Sequence, residues 1–184
     1  MNEFEELKEK TISSETVWSG KVFDCVVKKV ELCDGRQSRR EIVVHHGGAC
    51  ILPVDQDMNA YLVRQFRSPF ETILLEAPAG KLEKDEEPIA CATRELREET
   101  GFVAGRIDDL GMMLCSPGYC GEKIGMFLAT DLKYEGIKLD DGEFLNVVKI
   151  PYGELLKKVL DNEITDAKTQ IVVLKAAGRL GYGL

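Results

Sequence analysis

The sequence predicts an α+β fold with a small antiparallel sheet at its N-terminus. Three observations predict it. Residues 16–46 fall into short apolar-alternating runs broken at Ser19-Gly20 and Asp34-Gly35, the punctuation of antiparallel strands and a hairpin. Further strand-like runs, ACILPVD, AYLVRQFRS, TILLEAPAG and FLNVVKI, recur through the middle of the chain. One helical segment interrupts them, and two amphipathic ones close the sequence.

In order, residues 1–15 are polar and read as a short helix or a loosely held arm. TVWSGKVFDCVVKKVEL supplies two strands, with Val22, Cys25, Val27 and Val30 in imperfect alternation, and RREIVVHH a third. His45 and His46 adjoin Gly47-Gly48 without an acidic or Cys partner at ligand spacing, which favours a structural role over metal binding. ACILPVD and AYLVRQFRS are joined by the turn-rich DQDMN. Arg64 and Arg67 lie just past an apolar strand, where they are either a solvated strand end or two guanidiniums placed to hold phosphate oxygens. Glu76, in LLEAPAG, faces the same neighbourhood. Beyond the central helix, two strands flank the rigid turn Ser116-Pro117-Gly118, with Glu122 just past it. An acidic loop, YEGIKLDDGEF, then offers Glu143 as a general base on water, with Asp140 and Asp141 as weaker candidates. In PYGELLKKVLDNE and TDAKTQIVVLKAAGRLG, Pro151 suits a first turn and Thr165 or Asp166 an N-cap. Leu155, Leu156, Val159, Ile171 and Leu174 form their packing faces.

At 184 residues the chain can bury a proper core as one medium domain. A formal net charge of −8 argues against a general nucleic-acid binder. No apolar run approaches the ~20 residues that span a bilayer, and the charged N-terminus lacks the apolar segment of a signal peptide. A cytoplasmic location is therefore expected, without membrane or nucleic-acid partners. The six cysteines form no C-x-x-C pair, so reduced thiols are expected.

The chain is organised around Gly80–Phe102, GKLEKDEEPIACATRELREETGF. Pro88 suits the first turn of a helix and Gly101 a left-handed cap, which predicts a helix from about Pro88 to Thr100. Ile89, Ala92 and Leu96 can form its apolar stripe. Glu95, Glu98 and Glu99 share one face at spacings of three and four. Anions so close repel one another unless a cation sits among them, and hard oxygen ligands suit Mg²⁺ or Mn²⁺. The full pattern is G-x5-E-x7-R-E-U-x-E-E-x-G-U, with U apolar, and every fixed position is filled. By average residue usage a chance match is on the order of one in ten million.

This stretch resembles the Nudix box. The resemblance implies a mixed β-sheet core sandwiched between helices, and hydrolysis of a nucleoside diphosphate linked to another group. Carried over by position, Glu95 and Glu99 would be the main metal ligands, with Glu98 and the Ala79 carbonyl adding to the site. Arg94 would orient the glutamates, Glu86 would support the helix, and Gly80 and Gly101 would shape the turns at either end. Most of the remaining chain is similar to the ADP-ribose pyrophosphatase branch, through DGRQSRREIVVHHGGACILPV, VRQFRSP, LLEAPAG, EITDAKT and Pro117 sixteen residues past Gly101. That likeness implies Mg²⁺-dependent cleavage of ADP-ribose, or a related nucleoside diphosphate derivative, to AMP and ribose 5-phosphate. It also implies a homodimer that exchanges its N-terminal sheets. Arg40, Arg64, Arg67, Glu76, Pro117 and Glu122 would line the substrate, Phe23 or Trp18 would stack on adenine, and Glu143 would be the catalytic loop glutamate, with Glu122 and Glu98 near the chemistry. The expected division is an N-terminal sheet over 1–46 and a catalytic domain over 47–184. A nucleotide-sugar diphosphatase acting on a GDP-mannose-like substrate is the competing reading, and a non-catalytic nucleotide sensor a remote one.

Overall fold

A computed structural model describes residues 4–137 and 145–183. The chain forms two units, Met1–Gly47 with Leu114–Lys123, and Gly48–Met113 with Ile124–Leu184.

The first unit is a three-stranded antiparallel sheet of β1 (Lys10–Ser19), β2 (Phe23–Glu31) and β3 (Gln37–His45), in that order. The hairpin between β2 and β3 turns at Gly35, with φ of 82°, and Asp34 accepts a hydrogen bond from the Arg36 N–H at 3.1 Å. The N-terminal segment departs from expectation. A single 3-10 turn at Glu5–Leu7 gives way to strand from Lys10. Every residue of β1 is exposed, so no face of it needs apolar residues and its period leaves no trace in the sequence. The segment Leu114–Lys123 adds to the far edge of this sheet. The Val43 N–H donates to Tyr119 O at 2.8 Å, and the Gly121 N–H donates to Val43 O at 2.9 Å.

The second unit holds β4 (Gly48–Pro53), β5 (Asn59–Arg67), β6 (Thr72–Glu76), β7 (Ala79–Lys81), α1 (Pro88–Thr100), β8 (Phe102–Leu114), β9 (Lys123–Tyr134), β10 (Leu145–Pro151), α2 (Tyr152–Leu160) and α3 (Ala167–Arg179). The strands form a four-stranded sheet ordered β7-β4-β9-β8 and a three-stranded antiparallel sheet ordered β10-β5-β6. In the larger sheet β4 runs parallel to β9 and antiparallel to β7, so the sheet is mixed. All six residues of β4 are buried. Ala49 and Ile51 pack with Phe127 and Ala129 against Cys91, Ala92 and Leu96 of α1. The alternate residues Cys50 and Leu52 are also fully buried and point to the opposite face, and α3 lies against the same strand. Tyr152, wholly buried, donates its hydroxyl to Val173 O at 2.7 Å and ties α2 to α3. Among the described residues no helix is long and apolar enough to cross a membrane.

Helix α1 starts and stops where Pro88 and Gly101 punctuate it. Pro88 needs no hydrogen-bond acceptor in the first turn, and Gly101 adopts φ of 75°, its N–H donating to Arg97 O at 2.9 Å. The buried face is centred on Ala92, Glu95, Leu96 and Glu99, flanked by Cys91 and Thr100. Ile89 falls at the margin of that face in the first turn and is 48% exposed, whereas Cys91, on the opposite margin, is buried.

A β-carbon on Gly101 would stand 2.7 Å from Gly136 C and Tyr134 Cε2 in a left-handed conformation. Gly101→Ala is expected to cost about 2 kcal/mol, which lowers the thermal midpoint by roughly 4–8 °C in a chain of this size. Scanning calorimetry checks this, and an unchanged midpoint would contradict the cap.

Candidate active site

Two of the carboxylates that α1 carries lie on its packing face. Glu95 is 8% exposed and Glu99 2%, whereas Glu98 sits on the half-buried flank. A buried carboxylate is informative where a buried Leu is not, because its charge must be compensated locally. Arg94 supplies most of the compensation. Its Nη1 donates to Glu95 Oε1 at 2.7 Å and to Glu98 Oε2 at 3.0 Å. Its Nε and Nη2 grip both oxygens of Glu86 at 3.1 Å, and Nη2 also reaches Lys81 O at 3.2 Å. The Glu86, Glu95 and Glu98 carboxylates hold the guanidinium proton well above its ordinary range, Glu86 contributing most. In return Arg94 draws the Glu86 pKa below that of a free carboxylate. Arg94 is thus an internal cation for Glu95 and Glu98. Among the described residues no three His, Cys, Asp or Glu side chains converge as a closed metal-ligand set.

The backbone opposite α1 is shaped to these carboxylates. The Ala79 N–H donates to Glu99 Oε2 at 3.1 Å. A β-carbon on Gly80 would overlap the Glu95 carboxylate and approach its Cγ to 2.8 Å, so only glycine lets the strand pass this close. The Cys91 thiol lies 3.4 Å from Lys81 O. Burial, with the Glu86 charge adding to it, pushes that thiol up to about 12, so Cys91 stays protonated and packs as a neutral side chain.

Just before this backbone, Glu76 is 1% exposed and doubly held. Arg67 grips it through Nε at 2.7 Å and Nη2 at 2.6 Å, and the Lys168 ammonium joins the same carboxylate. Burial alone would raise its pKa, but Arg67 and Lys168 outweigh burial and hold it below the usual carboxylate value. The Ala77 N–H donates to Thr169 Oγ1 at 2.7 Å. Lys168 and Thr169 stand in the EITDAKT segment, but their pairing with Glu76 and Ala77 was not legible, since those partners lie 92 residues away. Asp166, expected as an N-cap, accepts from the Thr169 N–H at 2.9 Å.

The remaining candidates are spread more widely. Arg64 and Arg67 lie within β5, not past it, and their odd spacing sends them to opposite faces of the sheet. Arg64 is exposed beside Asn146 and Leu75, while Arg67 faces Glu76. In the first unit, Arg40 pairs with Glu9 and donates to Ser38 Oγ at 2.9 Å. Trp18 and Phe23 pack against each other with centroids 5.1 Å apart and rings tilted by 45°, both exposed. Glu122 also belongs to that unit, with its carboxylate 3.5 Å from His45 Nδ1, which accepts from the Gly47 N–H at 3.0 Å. Pro117 is exposed in the turn closed by Cys120 N–H on Ser116 O at 2.9 Å. Glu143, Asp140 and Asp141 lie outside the described residues.

Residues 44–171 match the family model described as NUDIX domain. The chain belongs to the Nudix family. It is 43% identical over 169 residues to an ADP-ribose pyrophosphatase of Bacillus subtilis (strain 168), covering 91% of each chain. It is 38% identical over 168 residues to a methanol dehydrogenase activator of Bacillus methanolicus, covering 90% of this chain and 91% of the other. A crystal structure of an ADP compounds hydrolase superposes with a TM-score of 0.83 at 23% identity, covering 95% of each chain, which establishes the shared fold.

Nudix hydrolases generally depend on divalent metals, and the residues present fit such an ion. The donors are hard carboxylate oxygens, two of them buried, and the glycine at position 80 keeps the backbone against Glu95 free of a side chain.

The Glu76 cluster gives a test of how the site is braced. Glu76→Gln leaves Lys168 and Arg67 without their shared anion and is expected to cost about 3 kcal/mol at pH 7. Because the folded Glu76 pKa lies below its unfolded value near 4.5, its contribution is complete above that value and is lost as pH falls through the folded pKa. Urea denaturation from pH 7 to pH 2.5 should show the gap between wild type and Glu76→Gln closing on the acid side of ~4.5. A gap that stays constant would contradict the ion pair.

Proposed function

We propose that this Nudix hydrolase cleaves the diphosphate linkage of ADP-ribose to AMP and ribose 5-phosphate, with Mg²⁺ as its cation and Mn²⁺ as a substitute. The observation that carries this reading is the pair of carboxylates, Glu95 and Glu99, buried on the Nudix helix against Ala79 and Gly80. The substrate is argued from the 43% identity to an ADP-ribose pyrophosphatase over nine-tenths of both chains.

In this reading Glu95 and Glu99, with Glu98 and the Ala79 carbonyl, hold the metal. When bound, the ion would neutralise diphosphate charge and lower the pKa of water, so that the hydroxide left on proton loss can attack phosphorus. The protein's own groups do the rest. Arg94 fixes the direction of Glu95 and Glu98, so the ligands are aimed before substrate arrives. Glu98 is the least buried of the three carboxylates. Arg64, exposed on β5, offers a guanidinium to a phosphate oxygen. Arg67 acts through Glu76, whose carboxylate it shares with Lys168. Glu143 takes the water proton, as the resemblance implies.

The division into an N-terminal sheet over 1–46 and a catalytic domain over 47–184 belongs to the same proposal, as does a homodimer. The first unit leaves Ile12, Val17, Trp18, Val22, Phe23 and Val44 exposed, which suits burial against a second copy. A monomeric sedimentation coefficient would remove the dimer. Cysteines 25, 33, 50, 91, 115 and 120 are all free thiols, in keeping with a cytoplasmic location.

Phosphate release after phosphatase coupling, with ADP-ribose, GDP-mannose, UDP-glucose and diadenosine tetraphosphate each with and without EDTA, tests substrate and metal together. ADP-ribose should turn over fastest and EDTA should silence it. A sugar nucleotide turned over faster would keep the family and discard the substrate. Glu99→Gln should lower kcat roughly 10²–10³-fold, the scale for losing one charge-stabilising group, with a thermal midpoint close to wild type. Near-normal kcat would remove Glu99 from the metal site.

A further inference from the structure

Buried polar groups outside α1 converge where α3 begins. Thr169 is fully buried. Its Oγ1 accepts from the Ala77 N–H at 2.7 Å and donates to Asp166 Oδ2 at 2.5 Å. Lys168 donates to Asp166 Oδ1 at 2.9 Å and also pairs with Glu76. Glu76 and Ala77 are neighbours, so the contacts close into a ring: Ala77 backbone, Thr169, Asp166, Lys168, Glu76. An ordinary N-cap requires only the bond from the Thr169 N–H to Asp166. It does not require a hydroxyl at position 169, nor a lysine shared between two carboxylates.

What the ring holds is the approach to the metal-site backbone. Ala77 N–H is fixed by Thr169, Pro78 O accepts from the Ile51 N–H at 2.9 Å, and Ala79 N–H donates to Glu99 at 3.1 Å. Three consecutive residues are pinned to three different elements: α3, β4 and α1. Pro78 restricts φ between the outer two, so little slack separates Ala77 from Ala79. A shift at Ala77 is therefore passed to the amide that Glu99 accepts.

We propose that Thr169, held in place by Asp166 and Lys168, is a positioning residue that sets the Ala79–Glu99 side of the metal site from the C-terminal helix. The proposal rests on the reading that Ala79 and Glu99 serve the metal. Groups that orient ligands without touching the ion typically govern metal affinity and turnover by about 10–100-fold. Because Thr169 is fully buried and its hydroxyl touches only the Ala77 backbone and Asp166, its loss should fall on metal binding and kcat while leaving KM for substrate nearly unchanged.

The test uses the full chain. Mn²⁺ binding is followed without substrate by loss of the free-ion electron paramagnetic resonance signal, and kcat and KM are measured with ADP-ribose. Thr169→Val keeps the shape and removes the hydroxyl. It should weaken Mn²⁺ binding and lower kcat, each by about 10-fold, with KM within about 2-fold. Thr169→Ser restores the hydroxyl and should restore both. Wild-type Mn²⁺ binding and kcat in Thr169→Val, whatever its thermal midpoint, would overturn the proposal and leave Thr169 a packing residue. If Thr169→Val does not fold, Asp166→Asn keeps a cap acceptor, removes the charge at the end of the hydrogen-bond chain and should shift both quantities the same way. No shift there overturns the proposal equally. Glu99→Gln separates the two layers. Weakened Mn²⁺ binding in Glu99→Gln beside an unchanged Thr169→Val refutes the positioning role alone, whereas unchanged binding in Glu99→Gln refutes the underlying ligand assignment.

Discussion

Negative charge buried at a helix–sheet interface is the constraint around which the second unit is built. Glu95 and Glu99 occupy the centre of the face by which α1 packs, where an apolar residue would be expected. Desolvating a carboxylate there is costly unless a cation or backbone donors answer it directly. Glu95 Oε1 and Glu99 Oε2 are each answered by a group of fixed position. Arg94 serves Glu95 from the same helix, and the Ala79 N–H serves Glu99 from the facing strand. A charged pair of this kind contributes little net stability compared with well-packed apolar side chains. Its presence is explained by chemistry and tolerated by the fold.

The apolar structure around it supplies rigidity. Strand β4 is covered on both faces and hydrogen-bonded along both edges, so β7 and the Ala79–Gly80 approach rest on an element with no freedom of its own. Cys91 and Leu96 fill the space between that strand and α1. Their packing fixes the depth of the helix, and the absence of a side chain at Gly80 fixes how close the strand can come to Glu95. Depth and approach together determine where the carboxylate oxygens sit to within the tolerance that positional catalysis demands.

Much of this could be read from the sequence, and the parts that could not share a physical cause. The ends of α1 were legible because Pro88 and Gly101 act locally, through a missing N–H and a left-handed φ. The shared face of the glutamates was legible because helical periodicity brings residues three and four apart together, whereas the role of Arg94 came from the resemblance to the Nudix box. Strand β1 was missed over Lys10–Glu15 because it has no buried face to impose alternation. Arg64 and Arg67 were read as a pair, but an extended strand separates residues three apart onto opposite faces. The partners of Glu76 were out of reach, since Lys168 meets it only through tertiary packing of α3. Ile89 was read into the apolar stripe but lies exposed at its margin in the first turn, a distinction too fine for pattern alone.

The parallel pairing of β4 with β9 also has a consequence for how the chain comes into being. Gly48–Pro53 leaves the ribosome roughly 70 residues before its parallel neighbour begins at Ile124, an interval of several seconds at about 5–20 residues per second. The helix against its other face, α3, comes later still. Through that interval this fully buried strand has β5, β7 and α1 beside it but neither β9 nor α3, and one edge lies open to any other extended chain. Non-local closure of this kind is intrinsically slow. The strand that makes the finished site rigid is therefore also the segment through which a nascent chain is most exposed to aggregation.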